Sequence, residues 1–311
     1  MIKWWLNRLA GLAAAAALLA PAAGWAQAKI ALLDSNIINY LPAYVAMDQG
    51  IFERHGLRVE RTVIQNASYT TAALFSGSGQ VGTLSPIPLV QASAGGLGLV
   101  AVAASDIVPS PIHSGVVVRE DSPIKAAGDL AGKKVAVAGI NGALHVLARR
   151  WLADNGVDES KVTFVELSFP TMGDALRSGQ VDAVTSVDPF LTRIVGAHAG
   201  HVIFDLLNST PPGTASAFYT CTAEWAKAHP DAVAAFRASL EEAGRFIAEH
   251  PDQAREILAK FTKLPTQAIQ QTPFPNYKFT ATAAQVGFWA GIAKQQGLID
   301  SEPDAAAMVI K

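Results

Sequence analysis

Hydrophobic positions along the chain fall into two alternating rhythms. Short apolar or alternating runs at residues 29–33, 57–63, 81–84 and 98–104 predict strands. Between them, residues 42–49, 69–76 and 86–94 predict helices. Pro42 and Pro86 suit a first helical turn, and Ser68 is placed to cap the helix after it through its hydroxyl. The same grammar returns later, with strands predicted at 134–138, 162–166 and 181–186 and helices at 143–155 and 171–178. A further helix opens on Pro189. Leu144, Leu147, Ala148, Trp151 and Leu152 form one apolar stripe at helical spacing. The remainder is helical, with predicted segments at 231–250, 252–261 and 282–296. These three have no counterpart in the earlier pattern and are expected to pack on the first half.

The return of the pattern extends to individual residues. Ala73-Leu74-Phe75-Ser76-Gly77, then Gln80-Val81, then Ser85-Pro86 is echoed by Ala175-Leu176-Arg177-Ser178-Gly179, then Gln180-Val181, then Asp188-Pro189. Each passage reads as a helix end, a glycine stop, a short strand and a polar residue opening a new helix. Strands alternating with helices imply a mainly parallel sheet flanked by helices in each half, an α/β fold of two lobes. A chain built this way has a cleft where matching loops face each other and hold a small molecule. Residues 116–122 and the turn-rich stretch 207–217 read as the two crossings between halves. The expected division is a discontinuous first lobe, residues 29–118 plus 208–311, around a second lobe, residues 119–207.

The N-terminal pattern is of another kind. Lys3 and Arg8 precede an apolar stretch at 9–23, and Ala26-Gln27-Ala28 supplies small residues at a cleavage site. Residues 1–28 therefore read as a cleavable secretory signal. The stretch is short for a membrane span, which needs about 20 apolar residues. Losing Lys3 and Arg8 moves the formal charge from −2 to −4, which argues against a nucleic-acid partner. Cys221 is the single cysteine, so no internal disulfide is possible. Export without disulfides fits a periplasmic protein.

In an open parallel sheet, ligands bind beyond the carboxyl ends of the strands. That rule selects loops at 35–40, 65–69, 83–86, 139–142 and 185–189, with 167–171 a weaker choice. The candidate ligand-binding residues on them are Asn36, Tyr40, Ser68, Ser85, Gly139, Asn141, Gly142, Phe169 and Asp188. Gly139-Ile140-Asn141-Gly142 leads into a helix, so its backbone N–H groups are expected to receive an anion; the plainer alternative is a turn. Asp188 is either a helix cap contributing about 1 kcal/mol or an acceptor for a donor on the ligand. Tyr40, Tyr69, Phe169, Phe190 and Tyr219 are the aromatics near these loops. His198 and His201 lack a third metal ligand, and Cys221 with His229 lacks an orienting acid. No metal and no cofactor is expected.

Residues 40–60 (YLPAYVAMDQGIFERHGLRVE), 129–135 (DLAGKKV), 175–182 (ALRSGQVD), Asp188-Pro189-Phe190, and the helical stretch from Pro230 to Pro251-Asp252 together carry a family resemblance. The chain resembles the nitrate/sulfonate/taurine and thiamine-precursor branch of ABC-transporter substrate-binding proteins. That resemblance implies a type II periplasmic-binding-protein architecture that closes on a solute. It also implies delivery to an ABC permease in the inner membrane, by a monomer. Its family pattern places the Asp188 acid and the Ser85 turn near the ligand. The same fold also resembles thiamine-pyrimidine and menaquinone-pathway enzymes, which need a reactive Cys or His in the cleft. A sensory partner of a membrane receptor is the third reading. For the ligand, an organic anion, a zwitterion and an amino-substituted heteroaromatic all remain open.

Overall fold

The computed structural model describes residues 27–64, 67–111, 114–264 and 266–310, and not the side chains of Ala67, Ser68, Gln267 and Ala268. Most of the expected signal segment, residues 1–26, lies outside the described residues. From the N-terminus the chain runs β1 (Ala28–Asp34), α1 (Leu41–Asp48), α2 (Ile51–Arg54), β2 (Leu57–Val63), α3 (Ala67–Phe75), β3 (Val81–Leu84), α4 (Pro86–Ala94) and β4 (Leu99–Ala104). It continues with β5 (Ser114–Arg119), β6 (Lys134–Val137), α5 (Ala143–Asp154), β7 (Thr163–Glu166), α6 (Phe169–Arg177), β8 (Ala183–Val187), α7 (Phe190–Gly196) and β9 (Gly200–Asp205). It closes with β10 (Phe218–Thr222), α8 (Ala223–Ala228), α9 (Pro230–Glu249), α10 (Pro251–Thr262), α11 (Thr266–Gln270) and α12 (Ala283–Gln295).

The strands form two five-stranded sheets, ordered β2-β1-β3-β10-β4 and β7-β6-β8-β5-β9. In each sheet the first three strands pair in parallel. One antiparallel strand, β10 or β5, then joins the last strand to them. The sheets are thus matched strand for strand. Strands such as β3, β4 and β8 are buried throughout, as their continuous apolar runs require.

The antiparallel strands correct the expected first crossing. Residues 114–119 carry the same apolar signature as a first-lobe strand, yet β5 hydrogen-bonds to β8 and β9. The first passage between sheets therefore lies before Ser114, not at residue 118. Strands β9 and β10 had no sequence prediction. Gly200 marks β9 because a Cβ there would lie 2.3 Å from the Val118 carbonyl oxygen, and Gly115 faces the Phe204 carbonyl at the same 2.3 Å. Strand pairing this tight admits only glycine.

Helices α9, α10 and α12 pack on the first sheet's side of the molecule, against α1, α2 and α4. Phe236 of α9 stacks on Phe52 at 5.3 Å and meets Tyr219 of β10 edge-on at 5.4 Å. The two passages run side by side as a hydrogen-bonded ribbon. Val108 N–H donates to Thr214 O (3.0 Å), Gly213 N–H to Val108 O (2.6 Å) and Ser105 N–H to Ala217 O (3.0 Å). Among the described residues, no helix is long and apolar enough to cross a membrane.

Candidate functional site

The loops at the carboxyl ends of both sheets enclose one cavity of about 840 Å³. Its wall takes Ser35, Asn36, Ile37, Asn39, Tyr40 and Ser85 from the first sheet's side and Gly139 to His145, Glu166 and Phe169 from the second's. Of the sequence candidates, Asn36, Tyr40, Ser85, Gly139, Asn141, Gly142 and Phe169 all lie on this wall. The side chain of Ser68 lies outside the described residues. Asn36 and Asn141 occupy matching places, one just after β1 and the other just after β6. Both adopt left-handed backbone conformations (φ 59° and 61°), which asparagine tolerates better than most residues.

Ser85 does not cap its own helix. Pro86 and Pro88 remove two N–H groups from the first turn of α4, so its demand for a cap is reduced. The Ser85 hydroxyl instead accepts the N–H of Ala143, 2.9 Å away at the start of α5. It caps a helix belonging to the opposite sheet. A second bond crosses between the same units, from Gln296 Nε2 to Val146 O at 2.8 Å.

Expectations for two loops need correction. Asp188 does not reach the cavity wall. It is fully buried, and its Oδ1 accepts from the Thr192 backbone N–H (3.0 Å) and hydroxyl (2.6 Å). The carboxylate serves the first turn of α7, the plainer of its two expected roles, and its neighbours Val187 and Phe190 line the cavity in its place. The loop at 139–142 is not an open anion site either. Ile140 N–H donates to Glu166 Oε1 (2.7 Å), Asn141 N–H to His145 Nδ1 (2.9 Å) and Gly142 N–H to Gly139 O (3.0 Å). With Ala143 bonded to Ser85, four consecutive donors are spent within the protein.

His145 was missed from sequence because a lone histidine beside the apolar stripe of α5 carries no motif. Burial, reinforced by the nearby Arg149 charge, lowers its pKa to about 4. The ring is neutral at ordinary pH, as its role as acceptor from Asn141 requires. A histidine held neutral in the fold costs stability as pH falls, because the unfolded chain protonates first. The window runs from the ordinary 6.5 down to about 4. Across it, the stability advantage of the native protein over a His145→Gln variant should shrink by about 3 kcal/mol. Urea unfolding of both proteins through that pH range measures this, and a constant difference would refute the neutral-acceptor role.

Behind the wall lie two buried acids. Asp34 ends β1 and takes Arg61 Nε at 2.7 Å and the Tyr44 hydroxyl at 3.0 Å. Burial raises its pKa, and the Arg61 charge opposes the rise. Arg61 also donates to Asn36 Oδ1 at 2.5 Å, which fixes that side chain at the cavity. Asp106, fully buried in the first passage, accepts from Ser216 of the second (2.6 Å) and from Asn39 of the cavity wall (2.9 Å). Its pKa is likewise raised by burial. One carboxylate thus ties both passages to the site. Neither acid, nor Asn39 and Glu166, was singled out in the sequence, because lone polar residues near strand ends or in a short helical turn carry no motif.

Phe169 and Phe190 stack at 5.7 Å on the second sheet's side of the cavity. Tyr40 meets Tyr219 edge-on at 5.2 Å, while Tyr69 is exposed and away from the wall. Cys221 is buried off the cavity, and burial pushes its thiol up to about 12, so it holds no reactive thiolate at neutral pH. Among the described residues, no group of three His, Cys, Asp or Glu could hold a metal ion.

Two matched α/β units around an enclosed cavity define the class of a two-lobed binding-protein fold. Residues 37–254 match the model of the NMT1/THI5-like family, and the chain belongs to that family. A candidate binding protein of Brucella abortus is 29% identical over 223 residues, covering 71% of this chain and 67% of that protein. The periplasmic aliphatic sulphonate binding protein of Escherichia coli superposes with a TM-score of 0.76 at 22% identity, covering 91% of this chain and 92% of that one. The periplasmic nitrate-binding protein of Synechocystis PCC 6803 gives 0.75 at 16% identity, with coverage of 90% and 84%.

Proposed function

We propose that the protein captures a small organic solute in the periplasm and passes it to an ABC-type permease, without chemical change to the solute. The observation that carries this reading is the cavity, whose wall comes from equivalent loops of both sheets. A molecule seated there touches both units only when they are close together, so binding favours the closed form. Family membership and the periplasmic relatives support the same reading. The ribbon of paired passages is the hinge, and the lobes are the parts of the chain joined through it. Among the named site residues, Asn36, Tyr40, Asn39, Glu166 and Phe169 line the solute's seat, and Ser85 with Ala143 latches it.

Native mass spectrometry of protein purified without refolding should show a bound small molecule. Small-angle scattering should then show a larger radius of gyration once that molecule is stripped, and compaction when it is restored. A protein that carries nothing and keeps one radius under all additions would refute solute capture.

A further inference from the structure

The two carboxyl oxygens of Asp106, fully buried in the first passage, are served unequally. Oδ1 accepts three bonds, from the Ser105 hydroxyl (2.5 Å), the Ser216 hydroxyl (2.6 Å) and Asn39 Nδ2 (2.9 Å). Oδ2 has no partner. An ionised carboxylate only accepts, and both of its oxygens attract donors, whereas a carboxylic acid carries a hydroxyl on one of them. Asp34 supplies the contrast. The Tyr44 hydroxyl donates to its Oδ1 and Arg61 to its Oδ2, so both oxygens are served beside a counter-charge. Among the described residues, no lysine, arginine or histidine forms an ion pair with Asp106. The titratable groups that sense its charge are the phenols of Tyr40 and Tyr277, and burial keeps both protonated.

The carboxamide bonded to Asp106 is also half served. Asn39 is buried, and its Nδ2 donates to Asp106 and to Ser216 (3.0 Å), but its Oδ1 has no partner. Two buried oxygens of one bonded acid–amide pair are therefore without donors. One proton on Asp106 Oδ2 answers both needs, because it removes the buried charge and supplies a donor for the amide oxygen. Burial also raises the pKa of this acid, the direction that such a state requires.

Resting on the solute-capture reading above, we propose that Asp106 is a neutral acid in the folded protein and a positioning residue for the cavity wall. Its Oδ2 proton is donated to Asn39 Oδ1 and fixes the Asn39 carboxamide on the wall, while Oδ1 ties the two passages together through Ser105 and Ser216. Ionisation sets a negative oxygen against the amide oxygen and releases Asn39 from its place.

Asp106→Asn is the conservative rescue, since it keeps the shape, the neutrality and a donor toward Asn39. Asp106→Ala removes both donor and acceptor. Infrared difference spectra at neutral pH should show the carbonyl stretch of a protonated carboxyl in the wild type that Asp106→Asn lacks. The folded acid keeps a proton that the unfolded chain loses as pH rises past the ordinary 3.8. Wild-type stability relative to Asp106→Asn should therefore fall from there through neutral pH in urea unfolding. Absence of the carbonyl band, or a difference that stops changing within the ordinary carboxylate range, overturns the neutral acid. After dialysis, native mass spectrometry should find the copurified molecule retained by Asp106→Asn within about twofold of wild type. Retention by Asp106→Ala should be about tenfold lower, as for a buried polar group left unserved. Asn39→Ala should show the same loss and replaces Asp106→Ala if that variant does not fold. Full retention in the alanine variants, or loss in Asp106→Asn, overturns the positioning role. If nothing copurifies with the wild type, solute capture and the positioning role fall together, while the infrared band and the pH profile still decide the neutral acid.

Discussion

Replacing Arg61 with methionine is expected to destabilise the protein by about 3–5 kcal/mol, because it leaves a buried carboxylate without its counter-charge. Asp34 is fully buried and the Arg61 side chain is 14% exposed, so solvent cannot stand in for the lost partner. The guanidinium also lies over the rings of Tyr44 and Phe261, at 4.8 and 5.3 Å, and methionine keeps part of that packing. The pH dependence identifies the cause. Burial already raises the Asp34 pKa above the ordinary 3.8, and removing Arg61 removes the largest influence holding it down. The folded variant then keeps a proton at pH values where its unfolded chain has lost one. Its deficit should therefore narrow as pH falls from neutral toward the ordinary carboxylate range. Adding Asp34→Asn should restore part of the loss, since a neutral amide is cheaper to bury. Urea unfolding of wild type and the two variants at several pH values measures all of this. A loss below about 1 kcal/mol, or a deficit independent of pH, would show that the pair contributes little. Because Arg61 also holds Asn36, solute affinity should fall alongside stability.

Trp289→Ala should cost about 3–5 kcal/mol, as expected for the largest side chain in a well-packed interior. Trp289 is fully buried on α12, and its indole N–H donates to Ala215 O at 2.9 Å. Ala215 belongs to the second passage and bridges Ile107 of the first. The indole therefore anchors the ribbon of paired passages to the helical layer. Trp289→Phe separates the two contributions: it keeps most of the ring volume and leaves one buried carbonyl unpaired, a loss of about 1–3 kcal/mol. Calorimetric or urea unfolding of both variants checks the ordering. Equal losses would mean that the hydrogen bond, not the volume, dominates.

The elements that the sequence made legible are those with local causes. Strand β3 is predicted at residues 81–84 and found there, because the glycine stop at Gly77–Gly79 ends the helix before it and Pro86 opens the next one after it. Helix α4 likewise begins at Pro86, where a missing N–H costs nothing. The repeat in the sequence correctly implied matched units, and the cavity wall does hold Asn36, Tyr40, Ser85 and Phe169. Sequence reasoning failed where the same local signal has two outcomes. Strand β5 looks like any first-lobe strand, and only its hydrogen bonds to β8 and β9 assign it elsewhere. The glycine-rich turn at 139–142 looks like an anion site until Glu166, His145 and Ser85 are seen to take its donors.

Alternating apolar runs, proline and glycine punctuation and a repeated passage determined, without coordinates, that this is a two-unit α/β chain with facing loops. Those features act over a few residues, so linear order suffices to read them. Tertiary structure alone decided which sheet receives β5 and that Asp188 serves α7 instead of the cavity. It also decided that, among the described residues, no lysine or arginine lines the cavity. Each of these depends on which distant groups meet, and a hydrogen-bond donor's partner is set by packing across the chain, not by its neighbours in sequence.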